Sequence, residues 1–379
     1  MCIGFGIDTL VDGRIGAQPD GIGVYVRGLS SALASCGDVD LVGFVHGARP
    51  LRLQAASGYP RTSHFSLPYA AAAVWSAATG RSFPSASRVG REIAVYHAPD
   101  LRIPKLARTP VVATVHDVIP LRYPQWANPR ARALKNALMR RAARWADRVI
   151  TASQAAARDI SSAYGIAEDR IATVPNGIEA IWFSDIDETR MQRVLRDYDL
   201  RPGFYLTVGT LQPRKNIDRI LDAYLSLPVS LRRERALGVV GREGWRAESL
   251  RARLEAVQSN GQVHWLQYVD TDVLRSLYRS ARGLVFPSLS EGFGLPILEA
   301  FASGTPVVTS NVSALSETAG DAAIVVDPNC TEAIAAAMER LHEDDSLVKR
   351  LVESGRERVR GFTWEACAAA TLAVYRSAA

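Results

Sequence analysis

Residues 283–300 read Gly-Leu-Val-Phe-Pro-Ser-Leu-Ser-Glu-Gly-Phe-Gly-Leu-Pro-Ile-Leu-Glu-Ala. A short apolar run ends in a proline, passes through a serine- and glycine-rich turn, and opens an apolar segment of helical spacing with Pro296 in its first turn. That is a strand, a loop and a helix. Gly292 and Gly294 let backbone amides approach a ligand closely, and exposed amides at a helix start favour a phosphate. Glu291 and Glu299, one before the helix and one about a turn inside it, accept hydrogen bonds from hydroxyl groups. The pair suits a ligand with a sugar at each end of a diphosphate.

The same strand-and-helix rhythm fills the 379 residues. Short Val- and Ile-rich runs occur at Ile3–Ile7, Leu41–His46, Ile93–His97, Val111–His116 and Val149–Ala152. A second series occupies Phe204–Gly209, Leu237–Gly241, Val263–Leu266, Gly283–Pro287, Pro306–Ser310 and Ala323–Val326. Amphipathic stretches separate them, so two doubly wound parallel sheets are expected, with the cleft between two Rossmann-like halves as the default ligand site. The boundary falls near Val174–Pro175–Asn176–Gly177–Ile178, where proline and glycine punctuate the chain. The first domain is placed at 1–178 and the second at 179–362.

After the run Phe204–Gly209 comes Thr210–Leu211–Gln212–Pro213–Arg214–Lys215–Asn216. Adjacent cations at a strand-to-helix turn can hold a diphosphate, the planar fork of Arg214 and the point charge of Lys215 offsetting two phosphates. An exposed basic turn would be the plainer explanation if this loop stood alone.

Composition narrows the class. With 47% hydrophobic and 22% charged residues, the chain is ordinary globular protein without a disordered tract. Cys2, Cys36, Cys330 and Cys367 show no paired spacing, so neither zinc knuckle nor disulfide framework is suggested. No basic stretch followed by an apolar run marks the start, and a cytoplasmic location is expected. The most apolar window, Leu67–Ala78, is far short of the ~20 residues of a spanning helix and reads as a buried helix or loop.

Charge is uneven. Residues 1–180 carry 21 Lys and Arg against 13 Asp and Glu, and the remainder 24 against 26. A basic first half suggests an anionic partner such as a membrane surface, a phosphate-bearing lipid or nucleic acid, although surplus arginine is also common on solvated surfaces. The densest part is one helical run, Arg130, Arg132, Lys135, Arg140, Arg141, Arg144 and Arg148, interleaved with Leu134, Leu138, Met139 and Trp145. Asp-x-Asp pairs occur at Asp38–Asp40, Asp185–Asp187 and Asp270–Asp272, but none follows a strand as a metal-bound diphosphate requires, and Asp270 reads as a helix cap. No metal is expected.

The segment 283–300 resembles the E-x7-E motif of the retaining glycosyltransferases of family 4, whose fold is GT-B, two Rossmann-like domains facing across a cleft. Further matches in order are Gly21–Ile22–Gly23–Val24–Tyr25, His116–Asp117–Val118–Ile119–Pro120, Ser153 with Val174–Pro175–Asn176–Gly177, Gly209–Thr210–Leu211 with Arg214–Lys215–Asn216, and Pro306–Val307–Val308 followed by Glu317. The resemblance covers almost the whole chain. It includes Phe362–Thr363–Trp364–Glu365, after which a last helix, 363–379, would return to the first domain.

The resemblance implies the following roles. Arg214 and Lys215 bind the donor diphosphate and stabilise the leaving group, and Glu299 holds the ribose. Glu291 holds hydroxyls of the transferred sugar, while amides near Phe293, Gly294 and Leu295 contact that sugar and the phosphates. The backbone at Tyr268 and Val269 meets the nucleobase, and Gly209 ends the strand beside the phosphates. His116 reaches the transferred sugar, and the Gly21–Gly23 turn approaches the donor phosphate or the acceptor. Front-face attack by the acceptor hydroxyl needs no enzyme nucleophile, so Glu291 is not assigned as one.

The combined motifs look most like bacterial mannosyl- and rhamnosyl-type transferases of surface polysaccharide assembly. GDP-mannose is the first choice of donor, with other GDP- or UDP-sugars open, and acceptors there are commonly polyprenyl-diphosphate-linked. Competing readings are weaker. A nicotinamide oxidoreductase would need a third glycine after Gly21–Ile22–Gly23 and a following acidic residue. A nucleic-acid binder would need an aromatic and basic recognition motif that is absent. A sugar-nucleotide epimerase or hydrolase of the same fold is the nearest alternative.

Overall fold

A computed structural model of the chain describes residues 1–12, 21–47, 59, 61–83, 86, 92–126, 132–258 and 260–378. The chain divides into two compact units. One comprises Met1–Pro124, Pro129–Gly177 and Phe362–Ala379, the other Gln125–Asn128 and Ile178–Gly361.

The first unit is built on a seven-stranded sheet: β1 (Cys2–Gly6), β2 (Asp40–His46), β3 (Arg61–Phe65), β4 (Val95–Ala98), β5 (Val111–Thr114), β6 (Arg148–Thr151) and β7 (Ile171–Thr173). Their spatial order is β3-β2-β1-β4-β5-β6-β7 and every pairing is parallel. β4 and β5 are buried along their whole length, which is why they read as continuous apolar runs rather than alternating ones. Two strands escape the apolar-run reading, and both are edges. β3, Arg-Thr-Ser-His-Phe, buries only Phe65, and the three residues of β7 are all half-buried.

The second unit carries β8 (Tyr205–Val208), β9 (Leu237–Val240), β10 (Val263–Gln267), β11 (Gly283–Phe286), β12 (Val307–Ser310) and β13 (Ile324–Val326). They lie in the order β10-β9-β8-β11-β12-β13, all parallel. Counted from β8, this is the 3-2-1-4-5-6 order of nucleotide-binding sheets, which reverses between β8 and β11. Ligands of open sheets bind beyond the carboxyl ends of strands at such a reversal, which here is flanked by the loops after β8 and β11.

The helix Trp364–Ala378 packs on helix Gly21–Ala34 and against β5 and β6 of the first unit. Gly28 makes room for it: a Cβ there would stand 2.1 Å from Trp364 Cε2.

Three expectations change. Gly21 and Gly23 form the first turn of helix Gly21–Ala34 rather than a free turn before it. The window Leu67–Ala78 becomes helix Tyr69–Thr79, buried on one side only: Ala72, Ala73 and Ser76 are buried, while Ala70, Ala71, Val74, Trp75 and Ala78 are exposed. The basic run is not one helix. It covers helix Arg132–Ala143, after which Arg144 donates to the Tyr164 carbonyl at 2.9 Å and Arg148 opens β6; Arg130 lies outside the described residues.

Candidate functional site

Beyond β8, Gly209 leads to a single 3-10 turn, Pro213–Lys215, stopped by Asn216 in the left-handed region at φ 60°. Asparagine tolerates that conformation because its short amide bonds locally. Here Asn216 Nδ2 donates to the carbonyls of Pro287 at 3.0 Å and Pro328 at 2.7 Å. The Leu289 amide donates to the Arg214 carbonyl at 2.8 Å. The loop after β8 is thereby fixed to the loop after β11.

The fixed loops bring three charges together. Arg214 Nη1 lies 2.7 Å from Glu291 Oε2, and Lys215 Nζ lies 2.6 Å from Glu291 Oε1. Arg214 Nε also donates to Gln212 Oε1 at 3.2 Å. Lys215 Nζ stands 4.8 Å from the centre of the Phe286 ring, a cation over an aromatic face. Burial pushes the Glu291 carboxyl up, but Lys215 and Arg214 outweigh it and hold it below the usual carboxylate range. Burial lowers the Lys215 ammonium, against the pull of Glu291. Two cations share one carboxylate, so the cluster keeps a positive excess.

Phe293 is buried, and its carbonyl accepts from Thr318 Oγ1 at 2.7 Å. Gly294 follows at φ 106° and leads directly into helix Leu295–Ser303 with Pro296 in its first turn. A side chain at 294 would be strained by that φ and would stand 2.6 Å from Leu315 Cδ2. No side chain from position 294 caps the helix; the Ile297 amide donates to the Gly294 carbonyl at 3.0 Å, and Pro296 carries no amide hydrogen.

Glu299, in the same helix, accepts from the Tyr278 hydroxyl at 3.0 Å. Burial pushes its carboxyl up to about 7, and the Glu179 carboxylate adds to this while Tyr278 and Lys215 oppose it. Tyr268 and Val269 follow β10, with Tyr268 41% exposed and Val269 buried. The Arg242 guanidinium stacks 3.9 Å from the centre of the Tyr268 ring. Asp270 caps helix Thr271–Ser280 by accepting from the Val273 amide at 2.8 Å. Among the described residues no group of three His, Cys, Asp or Glu is arranged to hold a metal.

In the first unit His116 follows β5. Its Nε2 donates to the Pro99 carbonyl at 2.9 Å, and its ring meets Tyr25 edge-on at 4.8 Å and 82°. Tyr25 begins a buried chain that reading by motif misses. The Tyr25 hydroxyl bonds Thr114 Oγ1 at 2.7 Å, Thr114 Oγ1 bonds His97 Nε2 at 2.8 Å, and His97 Nδ1 bonds the Tyr375 hydroxyl at 2.5 Å. Burial, with His116 nearby, pulls the His97 pKa down to about 3, so the ring is neutral. A second unanticipated pair is Asp8–His46, Oδ2 to Nδ1 at 2.8 Å, at the ends of β1 and β2.

The structure thus gathers Gly209, Arg214, Lys215, Glu291, Phe293, Gly294, Leu295 and Glu299 around the reversal of the second sheet, with Tyr268 and Val269 at the edge strand β10. Gly21, Gly23 and His116 belong to the first unit.

Two family models match in succession: Glycosyltransferase Family 4 over residues 19–180 and Glycosyl transferases group 1 over residues 195–358. O-antigen chain mannosyltransferase B of Escherichia coli is 34% identical over 285 residues, which cover 74% of this chain and 74% of that one. The chain is a family 4 glycosyltransferase. The serotype-specific mannosyltransferase WbdA of Escherichia coli is 30% identical to this glycosyltransferase over 58% of its chain, though that stretch is 27% of the longer relative. Among solved structures, sucrose-phosphate synthase from Thermosynechococcus elongatus superposes with a TM-score of 0.73 at 22% identity, covering 99% of this glycosyltransferase and 98% of that chain. The glycosyltransferase is a hexosyltransferase of GT-B fold, and retention of anomeric configuration accords with its family. Among its described residues no helix is long and apolar enough to cross a membrane.

Proposed function

We propose that the enzyme transfers mannose from GDP-mannose, with retention and without a metal, to a polyprenyl-diphosphate-linked oligosaccharide in the assembly of a surface polysaccharide. The observation that carries this reading is the Arg214–Lys215–Glu291 cluster beside the uncapped helix start at Leu295. A pyrophosphate placed there exchanges carboxylate oxygens for phosphate oxygens at the two cations and lies at the helix start after Gly294, whose dipole favours an anion. Similarity to O-antigen chain mannosyltransferase B supports mannose as the sugar and a polysaccharide as the product.

The roles follow from the chemistry. Arg214 and Lys215 stabilise the charge that grows on the departing diphosphate. Glu291, released from its cations, accepts from hydroxyls of the sugar, and Glu299 accepts from those of the ribose. The departing phosphate takes the acceptor proton, so no side-chain nucleophile is assigned. Two fixed cations provide the neutralisation for which other sugar transferases use a divalent ion. His116, Gly21 and Gly23 serve the reacting sugar and acceptor, and Tyr268 and Val269 the base. The basic first half of the chain suits a lipid-linked acceptor at an anionic membrane face.

A thermal-shift panel of GDP, UDP, ADP and dTDP tests the donor, since a ligand of the folded state raises the melting temperature. The largest shift is expected with GDP. Transfer of radiolabelled mannose from GDP-mannose to polyprenyl-diphosphate-linked acceptor, unchanged by a chelator, completes the test. A shift with UDP alone removes the donor assignment; activity restored by magnesium or manganese after chelation removes the metal-free one.

A further inference from the structure

Helix Tyr69–Thr79 is apolar on both of its faces. Inward, Ala72, Ala73 and Ser76 are buried, with Ala72 in the core cluster that also holds Phe65, Phe83, Ala142 and Ala143. Outward, Ala70, Ala71, Val74, Trp75 and Ala78 are exposed. Their spacings of three and four residues place them on one stripe. A surface helix normally turns charge toward solvent, and an exposed apolar stripe marks a contact.

The neighbouring helix supplies the charge. Helix Arg132–Ala143 packs against Tyr69–Thr79 and buries Ala142 and Ala143 in the same cluster, so both helices turn their outer faces away from one core. Leu134 on its outer face is 69% exposed, beside 53% for Val74 and 45% for Trp75. Lys135, Arg140 and Arg141 are exposed on it, and neither helix contains an acidic residue. Lys105, donating to the Gly80 carbonyl at 2.6 Å, adds a cation at the end of the apolar helix.

An apolar stripe next to one in which Lys135, Arg140 and Arg141 surround Leu134, with no acidic residue, matches a surface with acyl chains below and anionic phosphates above. A second copy of the chain fits less well, because a two-fold contact through this face sets cations against cations. We propose that the outer faces of helices Tyr69–Thr79 and Arg132–Ala143 dock the enzyme on an anionic lipid bilayer. Trp75, Val74 and Leu134 enter the headgroup boundary, where the amphipathic indole is favoured, and Lys135, Arg140 and Arg141 meet the lipid phosphates. For its purpose the docking rests on the lipid-linked acceptor proposed above, but the binding is measured without donor or acceptor.

The full-length protein is sedimented with vesicles of phosphatidylcholine alone and of phosphatidylcholine with phosphatidylglycerol. Salt-sensitive binding to the anionic vesicles is expected. Trp75→Ser with Leu134→Ser, and separately Lys135→Glu with Arg140→Glu and Arg141→Glu, should each weaken it about tenfold or more. Unchanged melting temperatures and an unchanged melting shift with GDP show that these variants stay folded with the donor site intact. Equal binding of wild type and variants overturns the proposal, as does equal binding to neutral vesicles or no binding at all. Dimerisation abolished by Trp75→Ser, or capture of acidic protein in place of vesicles, overturns it in favour of those partners. If no nucleoside diphosphate shifts the melting temperature while vesicle binding persists, the donor reading fails and the docking stands.

Discussion

Lys215 Nζ and Glu291 Oε1 are 2.6 Å apart, and both side chains are 11% exposed, although 76 positions separate them in the chain. Removing Glu291 strands the buried Lys215 charge, a loss of about 3–5 kcal/mol, whereas removing Lys215 leaves Glu291 its Arg214 partner at 2.7 Å and costs less, as does removing both. Lys215→Met and Glu291→Gln should therefore each lower stability, and the double variant should recover part of the loss. A double-mutant cycle by urea unfolding reads this directly; additive losses would show that the two charges do not depend on each other.

Arg214, 22% exposed, keeps a more open environment than its neighbour. Arg214→Ala should reduce turnover about 100- to 1000-fold, as loss of a group facing developing charge does. The melting temperature should stay within a few degrees of wild type. Full activity in a mannose-transfer assay would remove Arg214 from the leaving-group role.

For Glu299 the expected effect depends on pH. An ordinary glutamate titrates near 4.5 and this one near 7. As pH rises through that window the unfolded chain releases its proton first, so the stability this group contributes is present below about 4.5 and is lost by about 7. The linkage amounts to on the order of 3 kcal/mol. Glu299→Gln should raise the melting temperature more at pH 8 than at pH 5 while weakening nucleotide binding. A shift of equal size at both pH values would contradict the burial argument.

Tyr375→Phe removes the hydroxyl that bonds His97 Nδ1 at 2.5 Å and leaves a buried ring nitrogen without its partner. The loss should be about 1–3 kcal/mol. Gly28→Ala, which would drive a methyl against the Trp364 indole, should cost about 3 kcal/mol by overpacking. Chemical unfolding of each variant checks both.

The legible parts of the sequence were those where physics acts locally. The second-unit site sits on two contiguous loops, after β8 and β11, whose glycines and charges lie side by side in the chain, so the spacing of residues 209–216 and 291–299 identified the candidates. Central strands were legible because they are buried on both faces. β3 and β7 were not, since an edge strand with one half-buried face needs no apolar run. The His97–Tyr375 bond was out of reach for another reason: 278 positions lie between its partners. Nor could composition tell that Val74 and Trp75 face outward, because an alanine-rich helix has no polar side to orient it.

Because residues 362–379 complete the first unit while 178–361 form the second, order of synthesis and order of completion are reversed. The half that leaves the ribosome first waits with the bed of Trp364 uncovered until residues 362–379 are made, and the half that follows can close before it. A chain stalled or cut before residue 362 would therefore leave the older half incomplete rather than the younger one.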